Sequence, residues 1–84
     1  MACFNIMAVA VNHRIKNATE VQNVLTKYGC IISVRLGLHE AGNVCSDSGI
    51  IILQLVGSRE EINSFAEELN AIQGVQAKTI EICS

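Results

Sequence analysis

The feature that most constrains the fold of this chain is a pattern of residues that occurs twice. In each copy an apolar run leads to a helix start, an apolar helical stripe, a glycine and a second β-like run. Both helix starts have the spacing of a capping box, with Asn17 followed by Glu20 and Ser58 followed by Glu61. Two βαβ halves of this kind predict a four-stranded sheet with both helices on one face.

The length of the chain predicts a single domain over residues 1–84, because 84 residues build one hydrophobic core but not two. Half of the residues are apolar and only 17% are charged, so a domain this small must expose apolar side chains. We therefore expect a homo-oligomer or a complex with a protein partner. The chain has no apolar run long enough to cross a bilayer, so no membrane association is expected.

Charge and cysteine content indicate which partners and which cellular compartment are expected for the protein. The formal net charge of −2, without a basic stripe, disfavours direct binding of nucleic acid. Four cysteines without a CxxC pair, and a start without a basic signal region, predict free thiols and a cytoplasmic location. The topology places Cys3 and Cys83 on neighbouring strands, where we interpret them as small apolar side chains near the strand ends.

The strand patterns predict the order of the sheet. The predicted strands 6–12 and 50–56 are apolar on both faces and belong in the centre. The strand 31–38 alternates, and we expect its apolar residues to share one face, opposite Ser33 and Arg35, as in a half-buried edge strand. Right-handed split crossovers then give an antiparallel sheet of order 4-1-3-2, the ferredoxin-like βαββαβ sandwich of the α+β class.

A sheet with helices on one side leaves its other face open. Ile50, Ile52 and Val56 fall on that open face, and exposed Ile on an open sheet predicts self-association. The predicted oligomer interface comprises these three residues and Arg35 of the edge strand.

The segment 39–48 is longer than an ordinary hairpin loop and contains an imidazole, a thiol and two carboxylates. These groups suit a transition metal ion such as nickel or zinc, with His39 and Cys45 as ligands and His13 as a third. The alternative is a solvated loop shaped by Gly42 and Gly49.

Catalysis is not expected from this sequence. Cys45, His39 and Asp47 have the side chains of a nucleophile, a base and an orienting group, but they share one short loop instead of rigid elements. The glycines are too scattered for a phosphate-binding loop. We therefore predict that the chain is not an enzyme.

Several segments carry a family resemblance. These are the run Val-Arg-Leu-Gly-Leu-His-Glu at 34–40, Cys45, the strand 49–55 and the run Gly-Val-Gln-Ala-Lys-Thr-Ile at 74–80. In these four places the chain resembles the small regulators of the iron-only hydrogenase system. Those proteins are similar to ACT domains and to the C-terminal sensor domain of nickel-responsive repressors, whose βαββαβ units assemble into dimers and tetramers. The resemblance implies a regulatory, oligomeric and non-catalytic role.

The comparison with nickel sensors concerns the 39–48 segment. Nickel sensors carry a His-x-His pair on the second strand and a Cys six residues after the second His. His39 and Cys45 keep that six-residue spacing, while Gly37 stands where those sensors have the first His of the pair. The sensors also carry a ribbon-helix-helix arm before the domain, so we expect this chain to reach DNA only through a partner. Three functions stay open: a transcriptional regulator that senses an effector or a metal, an assembly module without a ligand, and a minor metal- or thiol-handling protein.

Overall fold

The computed structural model describes residues 2–12, 14–38 and 49–84, and it describes side chains throughout these ranges except at 14–16 and 38. The elements follow the predicted βαββαβ order: β1 (Cys3–Val11), α1 (Arg14–Lys27), a 3₁₀ turn (Gly29–Ile31), β2 (Ile32–Leu38), β3 (Gly49–Leu55), α2 (Arg59–Asn70) and β4 (Val75–Cys83). The sheet is antiparallel, and its order β2-β3-β1-β4 confirms the predicted order 4-1-3-2. No helix of the described ranges is long and apolar enough to cross a membrane.

The hydrophobic core lies between the sheet and the two helices. Its largest fully buried side chains come from both layers: Phe65, Met7, Leu53, Leu69 and Val9. The predicted apolar stripe of α2 is confirmed, because Ile62, Phe65, Leu69 and the following Ile72 are all buried. In α1 the stripe is buried at Val21 and Leu25 and partly buried at Val24 and Tyr28.

The start of α2 is the capping box that the sequence predicts. The Ser58 Oγ accepts a hydrogen bond from the Glu61 amide at 3.1 Å, and the Glu61 carboxylate accepts one from the Ser58 amide at 3.1 Å. These two bonds satisfy amides that have no partner within the helix. At the far end of the crossover Gly74 has φ = +84°, a conformation that favours glycine.

The predicted helix start at Asn17 is wrong. Helix α1 begins at Arg14, so Asn17 lies inside it and is only 9% exposed. Its side-chain amide donates to the Asn12 carbonyl at 2.9 Å and to the Gln73 carbonyl at 3.0 Å. Asn17 therefore ties the first turn of α1 to the turn before β4, a long-range role that the local capping-box spacing does not reveal.

The predicted alternation along β2 is also wrong at one point. The register between β2 and β3 shifts between Ile32 and Val34, which marks a β-bulge at Ser33. Ile32 pairs with Leu55 on the helix-covered face, whereas Val34 and Leu36 stand on the other face and are 54% and 53% exposed. One extra residue in a strand moves all later side chains to the opposite face.

The prediction of free thiols is wrong for two of the four cysteines. Cys3 and Cys83 form a disulfide between β1 and β4, with their Cα atoms 4.0 Å apart. The neighbouring pair Ala2 and Ser84 exchanges both backbone hydrogen bonds, so the cysteines occupy the next, closely spaced antiparallel position. The strand order predicted that they are neighbours, but only the register shows them directly opposite each other. Cys30 is an exposed free thiol.

Candidate functional site

The face of the sheet that carries no helix is the most unusual surface of the described residues. We call it the open face, and its side chains come from all four strands: Phe4, Ile6, Ala8, Ala10, Val34, Leu36, Ile50, Ile52, Gln54, Val56, Gln76, Lys78, Ile80 and Ile82. Seven of its large apolar side chains are between 44% and 58% exposed. A contiguous apolar surface of this kind marks an interaction site.

The open face has a relief that follows from its cross-strand pairs. Ala8 and Ala10 of β1 lie beside Ile52 and Ile50 of β3. The open face therefore has small side chains along part of β1 and larger side chains next to them on β3. On the other side of β1, Ile6 pairs with Ile80 and Phe4 with Ile82, which adds a second apolar group at one end. Side chains of a second sheet fit into such a depression when two sheets pack face to face.

Charge is almost absent from this surface. Lys78 is the one ionisable side chain that the described positions of the open face carry, and it pairs across the strands with Ala8. Because there is so little charge to desolvate, a partner can cover the face mainly through apolar contact. The open face is therefore suited to a protein surface.

The structure brings together three of the four predicted interface residues. Ile50, Ile52 and Val56 lie on the open face, with Ile50 and Val56 close to half exposed. Arg35 pairs with Leu53 on the helix-covered side, and its guanidinium donates to the Gln22 side-chain oxygen at 3.3 Å. The predicted metal ligands His13, His39 and Cys45 lie outside the described residues.

Five further residues of the open face were missed by the sequence reasoning: Val34, Leu36, Phe4, Ile80 and Ile82. The bulge in β2 places the first two there. The other three alternate with polar residues at the ends of β1 and β4, and this alternation is the signal that identifies an open-face position.

A polar cluster lies where the end of α1 meets α2. The Lys27 ammonium binds the Glu68 carboxylate at 2.9 Å, and the Tyr28 hydroxyl donates to the same carboxylate. Hydrogen bonds from Tyr28 and then Lys27 lower the pKa of Glu68, and the bond to Glu68 raises the pKa of both Tyr28 and Lys27. The Tyr28 ring also stacks on Phe65 with centroids 4.9 Å apart. This cluster joins α1 to α2.

No group of three or more His, Cys, Asp or Glu side chains within residues 2–12, 14–38 and 49–84 is arranged to hold a metal ion.

Comparison with known proteins identifies the family. The model of the TM1266-like family, described as an iron-only hydrogenase system regulator, matches residues 4–79. The chain belongs to this family. No curated protein sequence matches it.

Solved structures are similar over nearly the whole chain. Protein TM1266 from Thermotoga maritima is similar at 25% identity with a TM-score of 0.83, covering 98% of this chain and 100% of that one. A PII-like signalling protein from Thermus thermophilus has 10% identity and a TM-score of 0.63, covering 96% and 88%. The ACT domain of GTP pyrophosphokinase from Chlorobium tepidum has 16% identity and a TM-score of 0.63, covering 93% and 96%. The last two establish the ACT-like, ferredoxin-like fold and nothing more.

Proposed function

We propose that this chain is a non-catalytic regulatory domain that self-associates through its open face. The observation that carries the proposal is the set of seven large apolar side chains, all on one side of the sheet and each close to half exposed. Family membership supports the regulatory part, because the family is described as a regulator. The cytoplasm is the proposed location.

The proposed partner is a second copy of the chain. Two identical open faces related by a two-fold axis place apolar side chains against apolar side chains, which is the self-complementary arrangement of most homodimers. Covering about 400 Å² of apolar surface per chain corresponds to roughly 10 kcal/mol per chain at about 25 cal/mol per Å², before the costs of association. A face with one ionisable side chain among its described positions adds little desolvation cost.

Self-association gives a regulator a way to respond to an effector. A small molecule or ion that binds the assembled form better than the free chain stabilises the assembly by mass action. We propose that a dimer or tetramer of this kind influences transcription through a protein partner that contacts DNA.

A metal ion is the more specific effector that the sequence suggests. His39, Cys45 and His13 are side chains that nickel and zinc accept as ligands. Titration of the metal-free protein with nickel or zinc, compared with a His39→Ala, Cys45→Ser variant, tests this. Uptake by the unmodified protein alone supports a metal sensor, while equal uptake by both, or none by either, favours an assembly module without a metal.

The central experiment measures mass in solution. We expect the unmodified protein to sediment as a dimer or larger at micromolar concentration, and Ile52→Lys to dissociate it, because a lysine at this position would be buried between two apolar faces. Asn23→Lys is the matched control, since it adds the same charge at an exposed position of α1. A monomeric mass for the unmodified protein would refute the proposal.

A further inference from the structure

One corner of the sheet consists of only two strands. The pairing of β1 with β3 begins at Asn5, so residues 2–4 pair with β4 alone. We call residues 2–4 and 82–84 the terminal ribbon. Its last hydrogen bonds join Ala2 and Ser84 in both directions, at 2.9 and 2.8 Å. An isolated two-stranded ribbon is marginally stable in water, so this corner depends on additional support.

The helices give the terminal ribbon little of that support. On the helix side, next to the ribbon, β1, β4 and α2 line a cavity of about 280 Å³, and its polar lining consists of Asn5, Arg59, Asn63, Thr79 and Glu81. Every residue from 78 to 84 is exposed. The ion pair between Arg59 and Glu81 is loose, at 4.0 Å, and surface pairs of this kind contribute little. The Cys3–Cys83 disulfide is the one covalent link across the ribbon.

The terminal ribbon also belongs to the open face. Phe4 and Ile82 are directly opposite each other and are 44% and 50% exposed. They extend the apolar surface beyond Ile6 and Ile80. If the ribbon frays, these two side chains leave the surface on which a second copy would rest.

The disulfide lies on the other side of the same ribbon. Side chains alternate between faces along a strand, so Cys3 and Cys83 point away from the side that holds Phe4 and Ile82. Both cysteines are exposed. A second copy on the open face would therefore leave the sulfur atoms accessible to a small thiol.

We propose that the Cys3–Cys83 disulfide is a redox switch for self-association: the oxidised form holds Phe4 and Ile82 in the open face, and reduction releases them. This inference rests on the proposed self-association and names its regulation. In the oxidised chain the disulfide holds the last residue pairs of β1 and β4 together. In the reduced chain no covalent bond crosses the ribbon, which keeps its backbone hydrogen bonds and the cross-strand pair of Phe4 and Ile82.

The chemistry of the switch is thiol–disulfide exchange with a dithiol. One thiolate of the dithiol attacks a cysteine sulfur, breaks the bond between Cys3 and Cys83 and forms a mixed disulfide. The second thiol of the dithiol then displaces the remaining cysteine. Two electrons and two protons pass to the protein, which ends with two thiols, while the dithiol ends as a cyclic disulfide. Disulfides of cytoplasmic proteins are mostly of this transient, redox-responsive kind.

The test compares the dissociation constant of the assembly in the two redox states. The protein is prepared metal-free with Cys30→Ser and Cys45→Ser, so that Cys3 and Cys83 are its only cysteines and association depends on the open face and not on a metal ion. Sedimentation over a range of concentrations is measured for the oxidised protein and for the protein in dithiothreitol. Mass spectrometry after thiol alkylation counts the free thiols, and circular dichroism verifies that both forms are folded.

We expect the oxidised form to associate at least about tenfold more tightly, a factor that corresponds to about 1.4 kcal/mol. A further Cys3→Ser, Cys83→Ser change should give the weaker constant with or without dithiothreitol. If that variant does not fold, the comparison of the two redox states of the parent protein still decides the question.

The outcomes separate the switch from the self-association on which it rests. Association with the same constant in both redox states refutes the switch alone, as does tighter association after reduction. Free Cys3 and Cys83 thiols in the oxidised preparation also refute it. A protein that is monomeric in both states refutes the proposed self-association, and the switch with it.

Discussion

The two faces of the sheet are built from the same strands but meet different environments. On β3, Leu53 is fully buried under the helices, while its neighbour Ile52 lies on the open face. Both are large aliphatic residues, so composition does not distinguish them. The difference is that the chain itself covers one face with its helices and leaves the other face uncovered.

Topology explains why only one face is covered. Right-handed crossovers place both helices on the same side of a βαββαβ sheet. A chain of 84 residues has no further element to cover the opposite side within its described ranges. Apolar residues on both faces of β1 and β3 are therefore consistent with a unit that completes its burial by assembly.

The largest expected difference between the two faces is in the effect of an alanine substitution. Leu53→Ala tests the helix-covered face, and Ile52→Ala tests the open face. Leu53→Ala leaves a cavity in the core and should lower the free energy of unfolding by about 2–5 kcal/mol. Ile52→Ala should instead weaken self-association. Urea unfolding at several protein concentrations measures both effects, because an assembled protein unfolds at a midpoint that depends on its concentration.

Leu53→Ala should shift the midpoint at every protein concentration, whereas Ile52→Ala should reduce its dependence on concentration. Equal shifts from the two variants at all concentrations would mean that both side chains are buried within a single chain. The distinction between a covered and an open face would then be lost.

The next largest effect concerns Asn17, on the helix-covered side. Asn17→Ala removes the donor of two hydrogen bonds from a buried position, so we expect a loss of about 1–3 kcal/mol in the free energy of unfolding. Asn23→Ala is the matched control, because this Asn is exposed on the same helix and Ala is the better helix former. Chemical denaturation measures both variants. A loss no greater than that of Asn23→Ala would show that the two bonds do not hold α1 in place.

The residues at the two helix starts show how far local sequence determines the fold. The spacing of Ser58 and Glu61 predicted the start of α2, because a capping box involves only residues within one turn. Asn17 has the same spacing to Glu20 but bonds to a carbonyl 56 residues away. A local pattern contains no information about such a partner.

The same limit applies to the candidate site. Ile50 and Ile52 were predicted because the sheet order determines which face they share. Val34 and Leu36 depend on the bulge at Ser33, and the disulfide depends on the register that sets Cys3 opposite Cys83. Register arises from contacts between distant segments, so alternation along a single strand cannot supply it.

A smaller effect on the helix-covered side is expected from the α2 cap. Ser58→Ala removes the side-chain acceptor for the Glu61 amide and should cost about 1 kcal/mol. For a domain of this size the melting temperature should fall by about 4–8 °C. Ser64→Ala, at an exposed position in the same helix, is the control and should change little. Self-association should be unaffected by either change, since both residues lie away from the open face.

The smallest effect concerns the pH dependence of the contact between the two helices. The folded-state pKa of Glu68 is below its ordinary value of 4.5, chiefly because the carboxylate accepts hydrogen bonds from Tyr28 and Lys27. A carboxyl with a lowered pKa stabilises the fold above its unfolded pKa, and this contribution disappears as the pH falls through the folded pKa. The contribution is small because the ion pair is exposed to solvent.

Thermal melts between about pH 7 and pH 3 measure this effect for Glu68→Gln and for the control Glu67→Gln, which removes the neighbouring charge of α2. At neutral pH the Glu68→Gln variant should melt below the unmodified protein, and the gap should close as the pH drops below about 4.5. The gap closes because protonation of Glu68 removes from the unmodified protein the charge that the variant already lacks. A gap that stays constant over this range, or one that Glu67→Gln reproduces, would show that the Glu68 carboxylate does not join α1 to α2.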